Sequence, residues 1–260
     1  MSTTGTVPVL EMRKVQKRFG GVVAIDNFDL KVMPRSIYGL IGPNGAGKTT
    51  IFNTITGIYR ADDGNILFEG KDITKIQPHE AARIGIARTF QNIRLFSNLS
   101  VKMNVCIACN MNDTYTLADA LLRLPKYRQV TKRIDEKAMA LLETVGLQDK
   151  ADTIASALPY GHQRKLEIAR AMATNPKLLL LDEPAAGMNE DEALDLVEFI
   201  KGLHEKYPIT IMMIEHHMDV VSNLCEQCTV LDFGKTLAAG RVEDVKKDEA
   251  VIAAYLGGEL

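Results

Sequence analysis

The stretch that decides the fold is an apolar segment followed by a glycine-rich loop, and it reads Ser36-Ile37-Tyr38-Gly39-Leu40-Ile41-Gly42-Pro43-Asn44-Gly45-Ala46-Gly47-Lys48-Thr49-Thr50. The apolar residues predict a strand, and the residues from Ile51 to Ile58 predict a helix after the loop. Glycines let successive backbone N–H groups curl around phosphate oxygens, and the helix adds its positive N-terminal end. In the spacing G-x-x-x-x-G-K-[ST], we expect Lys48 to reach the β- and γ-phosphates and the Thr49 hydroxyl to bind Mg²⁺. A glycine turn without function is the weaker alternative.

A second pattern ends an apolar strand in two carboxylates, in the run Leu178-Leu179-Leu180-Leu181-Asp182-Glu183-Pro184. In P-loop NTPases the Asp at such a strand end helps to hold Mg²⁺, and a neighbouring carboxylate can orient or deprotonate the attacking water. A surface Asp-Glu pair after a core strand is the alternative, and the phosphate loop makes it the minor one. We therefore expect Asp182 to be a metal ligand and Glu183 to be the catalytic base.

The order of the apolar patterns predicts an α/β fold of the P-loop NTPase class. Alternation from Val9 to Val32, broken at Phe19-Gly20-Gly21, predicts an N-terminal antiparallel β subdomain. Buried strands at 178–181 and 209–214 are separated by a helical stretch at 192–205. Such βαβ units imply a mostly parallel core sheet.

The middle and the end of the chain follow other patterns. Residues from about 97 to 157 are helix-rich and predict a helical subdomain inserted into a single domain that spans 1–260. The last segment predicts a hairpin from Thr229 to Ala239 and one closing helix from Val242 to Leu256.

Composition and charge exclude several classes of protein. The 260 residues carry 31 basic and 33 acidic side chains, a balance that argues against nucleic acid as the main partner. The basic run from Lys126 to Arg133 suggests lipid headgroups or nucleic acid, but a solvated helix face is the favoured interpretation. No apolar stretch approaches the roughly 18 residues that cross a bilayer, and residues 1–5 lack the features of a signal peptide. We expect a cytosolic chain that can still have a membrane partner.

The four cysteines form two C-x₂-C pairs, Cys106 with Cys109 and Cys225 with Cys228. Such pairs outline a zinc or redox site. However, each pair lies in an apolar, periodic stretch without a glycine turn or a nearby histidine, and more than 100 residues separate the pairs. Reduced cysteines packed among apolar side chains are therefore the favoured interpretation.

Five motifs in order resemble those of an ABC-transporter ATP-binding subunit, and the resemblance covers nearly the whole chain. They are the loop at 42–50, the stretch around Gln91, the segment from 158 to 170, the strand end at 178–184, and Ile214-Glu215-His216. Arg88-Thr89-Phe90-Gln91-Asn92, the residues from 183 to 189 and the C-terminal run 251–257 most resemble one of the two ATPases of the branched-chain amino acid (leucine/isoleucine/valine) importers.

The resemblance implies a head-to-tail dimer in which each ATP lies between the phosphate loop of one subunit and Leu158-Pro159-Tyr160-Gly161-His162 of the other. It implies that Phe19 stacks on adenine, and that Gln91 links Mg²⁺ and the attacking water to a membrane subunit. It also implies that His216 contacts the γ-phosphate and that Asn189 lies in the loop crossing the dimer interface. Taken alone, Phe19 would more often fill a core, and His216 could simply end a strand.

The signature segment departs from the usual Leu-Ser-Gly-Gly-Gln and keeps only its first and fourth residues; His162 replaces the glutamine. Pro159 removes a serine hydroxyl and a backbone N–H, although proline suits the first turn of a helix. We therefore hypothesise a weaker cross-dimer contact, by about one or two hydrogen bonds of 0.5–1.5 kcal/mol each. His217 stands where an Asp commonly follows the histidine, and no consequence follows from it.

The leading interpretation is an ATPase that powers import of branched-chain amino acids, with ATP and Mg²⁺ as cofactors. Its expected partners are a second ATP-binding subunit, two transmembrane permease subunits and, indirectly, a solute-binding protein, and its expected place is the cytoplasmic face of the membrane. The alternatives are an ATPase of another importer or a lipid exporter, a soluble module acting on nucleic acid or ribosomes, and a nucleotide binder without turnover. The substrate rests on resemblance alone, and the choice between homodimer and heterodimer stays open.

Overall fold

The computed structural model describes residues 7–112, 115–216 and 218–256. The N-terminal residues 1–5, His217 and Gly257 of the C-terminal motif lie outside these ranges. The chain divides into two compact units, one formed by the residues up to Gln91 and from Lys177 onward, the other by Asn92–Pro176. Among the described helices, none combines the length and the apolar character that crossing a membrane requires.

The strands, in chain order, are β1 (Leu10–Phe19), β2 (Val22–Val32), β3 (Ile37–Ile41), β4 (Asp63–Phe68), β5 (Lys71–Asp72), β6 (Ile86–Arg88), β7 (Leu178–Asp182), β8 (Thr210–Ile214), β9 (Gln227–Asp232) and β10 (Lys235–Arg241). The α-helices are α1 (Lys48–Ile55), α2 (Pro78–Ile84), α3 (Val101–Cys109), α4 (Leu117–Leu121), α5 (Pro125–Thr144), α6 (Tyr160–Met172), α7 (Glu190–Lys206), α8 (Met218–Leu224), α9 (Val242–Val245) and α10 (Glu249–Leu256).

An antiparallel sheet opens the first unit, with the strand order β2-β1-β4-β5. Phe19 pairs with Val22 across the turn, where Gly20 has a φ of 56°, a left-handed value that favours glycine. At the other end of the pair, Leu10 lies opposite Val32, and both side chains are fully buried. The predicted N-terminal antiparallel β subdomain is confirmed.

A mixed sheet forms the centre of the first unit, with the strand order β10-β9-β3-β8-β7-β6. Strands β9, β3, β8, β7 and β6 run parallel, and only β10 pairs antiparallel, with β9. Every residue of β3, β7 and β8 is buried, as expected for strands covered on both faces. Because parallel strands end at the same edge, the residues after β3, β7 and β8 meet there. This confirms the predicted mostly parallel core sheet.

One hydrophobic core holds the two sheets of the first unit together. Phe28 and Ile66 of the antiparallel sheet, Leu40 and Leu180 of the mixed sheet, and Phe52 of α1 belong to the same buried cluster. Each fully buried side chain of this size contributes about 1.5–3 kcal/mol through removal of apolar surface from water. Helix α1, and with it the glycine loop at its start, is therefore fixed to both sheets.

The second unit, Asn92–Pro176, is helical. Helix α3 packs against α5 and α6. The buried side chains of α5 follow the three- and four-residue spacing of one helix face, and they are Val130, Ile134, Ala138, Leu141 and Leu142. The unit takes in the residues from 97 to 157, for which the sequence predicts a helical subdomain, and also includes α6.

Two element boundaries differ from the prediction. The helix after the glycine loop begins at Lys48 rather than Ile51, because the loop itself ends at Gly47. The predicted single helix from Val242 to Leu256 is wrong, since α9 ends at Val245 and α10 begins at Glu249. The Asp248 carboxylate accepts a hydrogen bond from the Ala250 N–H (2.8 Å), and such side-chain bonds start a new helix in place of a continuing one.

Candidate nucleotide-binding site

The glycine loop has a backbone that only glycine tolerates well. Gly42 and Gly47 have φ values of 146° and 105°, and Gly47 is the N-cap of α1. A Cβ atom at Gly42 would collide with the carbonyl oxygen of Leu231, and one at Gly47 would collide with that of Ala24. The loop is thus pressed against neighbouring backbone, as expected where N–H groups must close around a ligand.

Some residues of the glycine loop are exposed to solvent, whereas others are buried. Asn44, Gly45 and Thr49 are exposed, whereas Ala46 is buried and its carbonyl accepts a hydrogen bond from the Gly234 N–H (2.9 Å). Pro43 and Thr50 are half-buried at either side. The exposed Thr49 hydroxyl, in the first turn of α1, lies where an incoming ligand can reach it.

The Lys48 ammonium lies inside the loop. Its Nζ donates hydrogen bonds to the carbonyl oxygens of Gly42 (2.5 Å) and Pro43 (3.0 Å). Burial lowers the pKa of Lys48, while the carboxylates of Glu183, Asp182 and Glu215 oppose that shift. Three carboxylates therefore favour the charged form of a largely buried lysine, which gives the loop a fixed cation.

Asp182 ends β7, as predicted, and forms a buried ion pair that the sequence did not suggest. Its Oδ2 accepts a hydrogen bond from Arg88 Nη2 at 2.6 Å, and the two side chains are only 4% and 6% exposed. Arg88 Nη1 donates to Asn53 Oδ1 on α1, also at 2.6 Å. The guanidinium lies 5.5 Å from the ring centre of Phe52 and 5.1 Å from that of Phe90. Arg88 thus fixes the orientation of the Asp182 carboxylate relative to α1.

Arg88 has no role in the sequence interpretation, where it appears only as the first residue of the Arg88–Asn92 stretch. The available signal is a basic residue at the end of a short apolar run, Ile86-Ala87, beside Gln91. What the sequence does not provide is the register of β6 against β7, in which Arg88 lies opposite Leu180.

Gln91 and Glu183 are in direct contact. Gln91 Nε2 donates a hydrogen bond to Glu183 Oε2 at 2.8 Å. The backbone of Glu183 has a φ of 44°, a left-handed value that is costly for a non-glycine residue, and its N–H donates to the Ile214 carbonyl (3.0 Å). Strained backbone of this kind concentrates at functional sites because the surrounding structure must hold it.

A buried carboxylate connects the loops after β7 and β8. Glu215 is fully buried; its Oε1 accepts a hydrogen bond from the Ala185 N–H (3.0 Å) and its Oε2 from the His216 N–H (3.2 Å). The His216 ring is partly exposed, with Nδ1 3.9 Å from Glu215 Oε2. Glu215 therefore holds the backbone on both sides of the site, a role that the sequence interpretation did not assign to it.

Phe19 and Asn189 lie at the surface of the first unit. Phe19 is 43% exposed at the end of β1, so the alternative that it fills the core is wrong. Its ring contacts Tyr59 edge-to-face at 5.0 Å, and Lys17 Nζ lies 5.3 Å from its centre. Asn189 is the N-cap of α7, where its Oδ1 accepts from the Glu192 N–H (2.9 Å).

The signature segment lies in the second unit, at the start of α6. Leu158 is buried, and Gly161 is half-buried in the first turn. Pro159 is the N-cap residue rather than part of the first turn, and its carbonyl accepts the first helical hydrogen bond, from Gln163. The proline thus lies one position before the first turn, the place considered for it from the sequence. The helix N-terminus presents the backbone N–H groups of its first turn, the kind of feature that binds phosphate.

Two side chains of the signature segment have defined partners. The Tyr160 hydroxyl accepts a hydrogen bond from Arg164 Nη2 (3.2 Å), and the Tyr160 ring is 43% exposed. His162 Nδ1 lies 3.3 Å from Lys150 Nζ. Burial, together with the charges of Lys150 and Lys165, lowers the pKa of His162 and favours the neutral imidazole.

The cysteines are free thiols, and three of the four are buried. Cys225 and Cys228 are buried, and the Cys225 thiol contacts the Met213 sulfur at 3.4 Å. Burial raises the pKa of Cys228 to about 11 and raises that of Cys225 further still, so both stay protonated at neutral pH. In the part of the chain that the structure describes, no group of three or more histidine, cysteine and acidic residues could hold a metal ion.

A buried strand, a glycine loop closed over a lysine, and acidic residues at the ends of the next two strands of the sheet, β8 and β7, together define the P-loop NTPase class of fold. Comparison with protein families adds a match of residues 25–186 to the family described as ABC transporter. Residues 235–260 match the family described as branched-chain amino acid ATP-binding cassette transporter. The chain belongs to the ABC transporter family of ATP-binding proteins.

Individual relatives cover almost the whole chain. It is 41% identical over 250 residues to the high-affinity branched-chain amino acid transport ATP-binding protein LivG of Escherichia coli K12, covering 96% of this chain and 98% of that protein. BraF of Pseudomonas aeruginosa, with the same description, is 40% identical with the same coverage. Among solved structures, the ADP conformation of an ATP-binding cassette of an ABC transporter has a TM-score of 0.84 at 34% identity, covering 97% of this chain and all of that one.

Proposed function

We propose that this chain binds and hydrolyses ATP and thereby powers the import of branched-chain amino acids through separate permease subunits. One observation carries the ATPase part: Lys48, Asp182 and the Gln91–Glu183 contact meet at one edge of a parallel sheet, beside a loop built to cradle phosphates. The names of LivG and BraF, relatives at 40% identity or more, support the transport part.

The residues at this edge have the chemistry that Mg²⁺ and a triphosphate require. Mg²⁺ prefers oxygen ligands, which the Thr49 hydroxyl, an Asp182 carboxylate oxygen and the Gln91 amide oxygen can provide. When bound together with ATP, the ion would supply positive charge that offsets the charge of the phosphates. The loop N–H groups from Gly42 to Thr50 and the Lys48 ammonium would hold the phosphates, and Phe19 would stack on the adenine.

Glu183 and His216 would act on the attacking water. A carboxylate in hydrogen-bond contact with Gln91 can accept a proton from water, and the glutamine fixes its direction. The exposed part of the His216 ring can reach a γ-phosphate while Glu215 holds its backbone. The complete site would form in a dimer, with the start of α6, Leu158 to His162, supplied by the second subunit and Asn189 at the interface.

The experiment that tests this function compares the wild-type chain with Glu183→Gln. We expect the wild type to hydrolyse Mg²⁺-ATP, and the variant to bind ATP with similar affinity but fail to turn it over in a single-turnover assay. Equal hydrolysis by both proteins would contradict the assigned base, and ATP binding without hydrolysis in the wild type would indicate a regulatory nucleotide binder.

A second experiment tests the transport part. Co-expression with the permease subunits and the solute-binding protein should place the chain on the membrane and support ATP-dependent uptake of leucine, isoleucine or valine. The Glu183→Gln protein should assemble equally well and fail to support uptake. Uptake of a different solute by the wild-type complex would refute the branched-chain assignment and leave the ATPase assignment intact.

A further inference from the structure

The second unit exposes four leucines within eight residues. Leu117, Leu121, Leu122 and Leu124 are 85%, 80%, 67% and 38% exposed, and they are named here the leucine patch. Single exposed leucines are normal on a protein surface, but a cluster of them marks a surface that another molecule covers. Helix α4, which carries the first two, has none of its five residues buried, so its apolar side chains contribute little to the core of the unit.

The leucine patch has a fixed local structure. Helix α4 begins with a reciprocal capping box, in which the Thr116 hydroxyl accepts from the Asp119 N–H (3.1 Å) and Asp119 Oδ2 accepts from the Thr116 N–H (2.8 Å). The Asp119 carbonyl then accepts from the Leu124 N–H (3.0 Å), and the rings of Tyr115 and Tyr127 meet edge-to-face at 5.2 Å. These bonds fix the backbone that carries the exposed leucines. Burial of the leucine side chains within the unit would remove more apolar surface from water.

Basic side chains predominate around the leucine patch. Between Tyr115 and Arg133 the sequence contains a single acidic residue, Asp119, whose carboxylate is engaged in the capping box. The basic residues of the same stretch are all exposed, and they are Arg123, Lys126, Arg128, Lys132 and Arg133. Lys132 Nζ lies 3.7 Å from a carboxylate oxygen of Glu136, and both side chains of that pair are highly exposed.

We propose that the leucine patch and the surrounding basic side chains form a surface that binds anionic lipid headgroups. Exposed leucines on a short helix can enter the boundary between headgroups and acyl chains, while lysine and arginine side chains contact the lipid phosphates. A protein partner could also cover the leucines, but the excess of positive charge around them complements an anionic membrane surface in particular. This surface would act without nucleotide or permease, so it goes beyond the proposed ATPase function.

The absence of tryptophan from the chain allows a direct test. Leu121→Trp places a single fluorophore in the leucine patch, and Leu194→Trp, at a position 49% exposed on α7, is the matched control. On addition of vesicles of phosphatidylglycerol and phosphatidylcholine, we expect the Leu121→Trp emission to shift to the blue and the shift to weaken in high salt. The Leu194→Trp emission should not move, and vesicles of phosphatidylcholine alone should have little effect on either protein.

Charge-reversal variants measure how much the basic side chains contribute to vesicle binding. Each basic side chain near an anionic surface strengthens partitioning about fivefold, so Lys126→Glu with Arg128→Glu should weaken vesicle binding at least about 25-fold. Lys246→Glu with Lys247→Glu makes the same charge change at the end of α9 and should leave binding unchanged. Circular dichroism and ATP hydrolysis of both double variants would establish that each is folded.

Three results with vesicles, and a fourth with the permease subunits, would overturn the proposal. The three with vesicles are no blue shift with anionic vesicles, an equal shift with uncharged vesicles, or equal loss of binding in the two double variants. If the Lys126→Glu, Arg128→Glu protein binds vesicles like the wild type but no longer copurifies with the permease subunits, the surface is a protein interface. Because vesicle binding is measured without nucleotide, a failure here leaves the ATPase proposal untouched.

Discussion

The Arg88–Asp182 pair allows a sharp prediction about stability. Both side chains are almost completely buried, 6% and 4% exposed, and their charged atoms lie 2.6 Å apart. Arg88→Met keeps much of the side-chain volume but leaves the Asp182 carboxylate buried without its counter-charge. Removing one partner of a buried pair costs about 3–5 kcal/mol, a large part of the roughly 5–15 kcal/mol that stabilises a typical domain. The mutant should therefore be folded but markedly less stable.

Urea unfolding followed by circular dichroism measures this effect. With a urea m value of about 2–3 kcal/mol per molar, the midpoint should fall by about 1–2.5 M. The chain offers a matched control, since Lys177 and Glu69 also lie 2.6 Å apart but have side chains 56% and 44% exposed. Lys177→Met should cost no more than about 1 kcal/mol, because solvent screens an exposed pair.

A double variant separates charge from packing. In Arg88→Met combined with Asp182→Asn, the uncompensated buried charge is gone, so we expect at least about half of the lost stability to return. The reasoning is refuted if Arg88→Met costs no more than Lys177→Met, or if the double variant is as unstable as the two single changes added together.

Three further predictions concern the loop, the signature segment and the thiols. Gly47→Ala should abolish ATP binding in equilibrium dialysis, because a Cβ atom there collides with backbone and φ is 105°. An unchanged affinity for ATP would contradict the proposal that the backbone of this loop binds the phosphates. Pro159→Ser in a Glu183→Gln background should tighten ATP-dependent dimers in sedimentation equilibrium by one or two hydrogen bonds of about 0.5–1.5 kcal/mol each, whereas equal dimerisation would refute the weak contact. The buried thiols have raised pKa values, so their contribution to stability is complete below about pH 8.5 and is lost as pH rises toward 11. In the variant with Cys225→Ala and Cys228→Ala, the urea midpoint should decrease less between about pH 8.5 and 10 than in the wild type. An equal decrease in both proteins would contradict a contribution of the two thiols to this pH dependence.

The elements that sequence patterns predicted well are those fixed by local rules. The turn at Gly20 between two alternating strands, and the loop between a buried strand and a helix, depend on glycine conformation and on apolar spacing within a few residues. The sequence does not indicate the break near Asp248 because no glycine or proline marks it, and the carboxylate that caps α10 acts through a single hydrogen bond.

The missed parts of the candidate site depend on pairings between distant strands. Arg88 and Asp182 are 94 positions apart, and they meet only because the three-residue strand β6 adds to the edge of β7. Glu215 connects to Ala185 across 30 positions for the same kind of reason. Neither contact has a local signature, so a sequence can indicate which residues are polar at strand ends but not which of them bond to one another.

The charged side chains at this edge of the mixed sheet bear on the form in which the nucleotide would bind. The carboxylates of Asp182, Glu183 and Glu215 all act on the Lys48 ammonium, and Arg88 is already paired with Asp182. Three acidic groups against two cations leave a negative excess where a triphosphate is proposed to bind. Because like charges repel strongly in a partly buried site, the nucleotide needs a further positive charge that arrives with it. A divalent cation held by oxygen ligands would meet this need, which supports the proposal that the nucleotide binds as Mg²⁺-ATP.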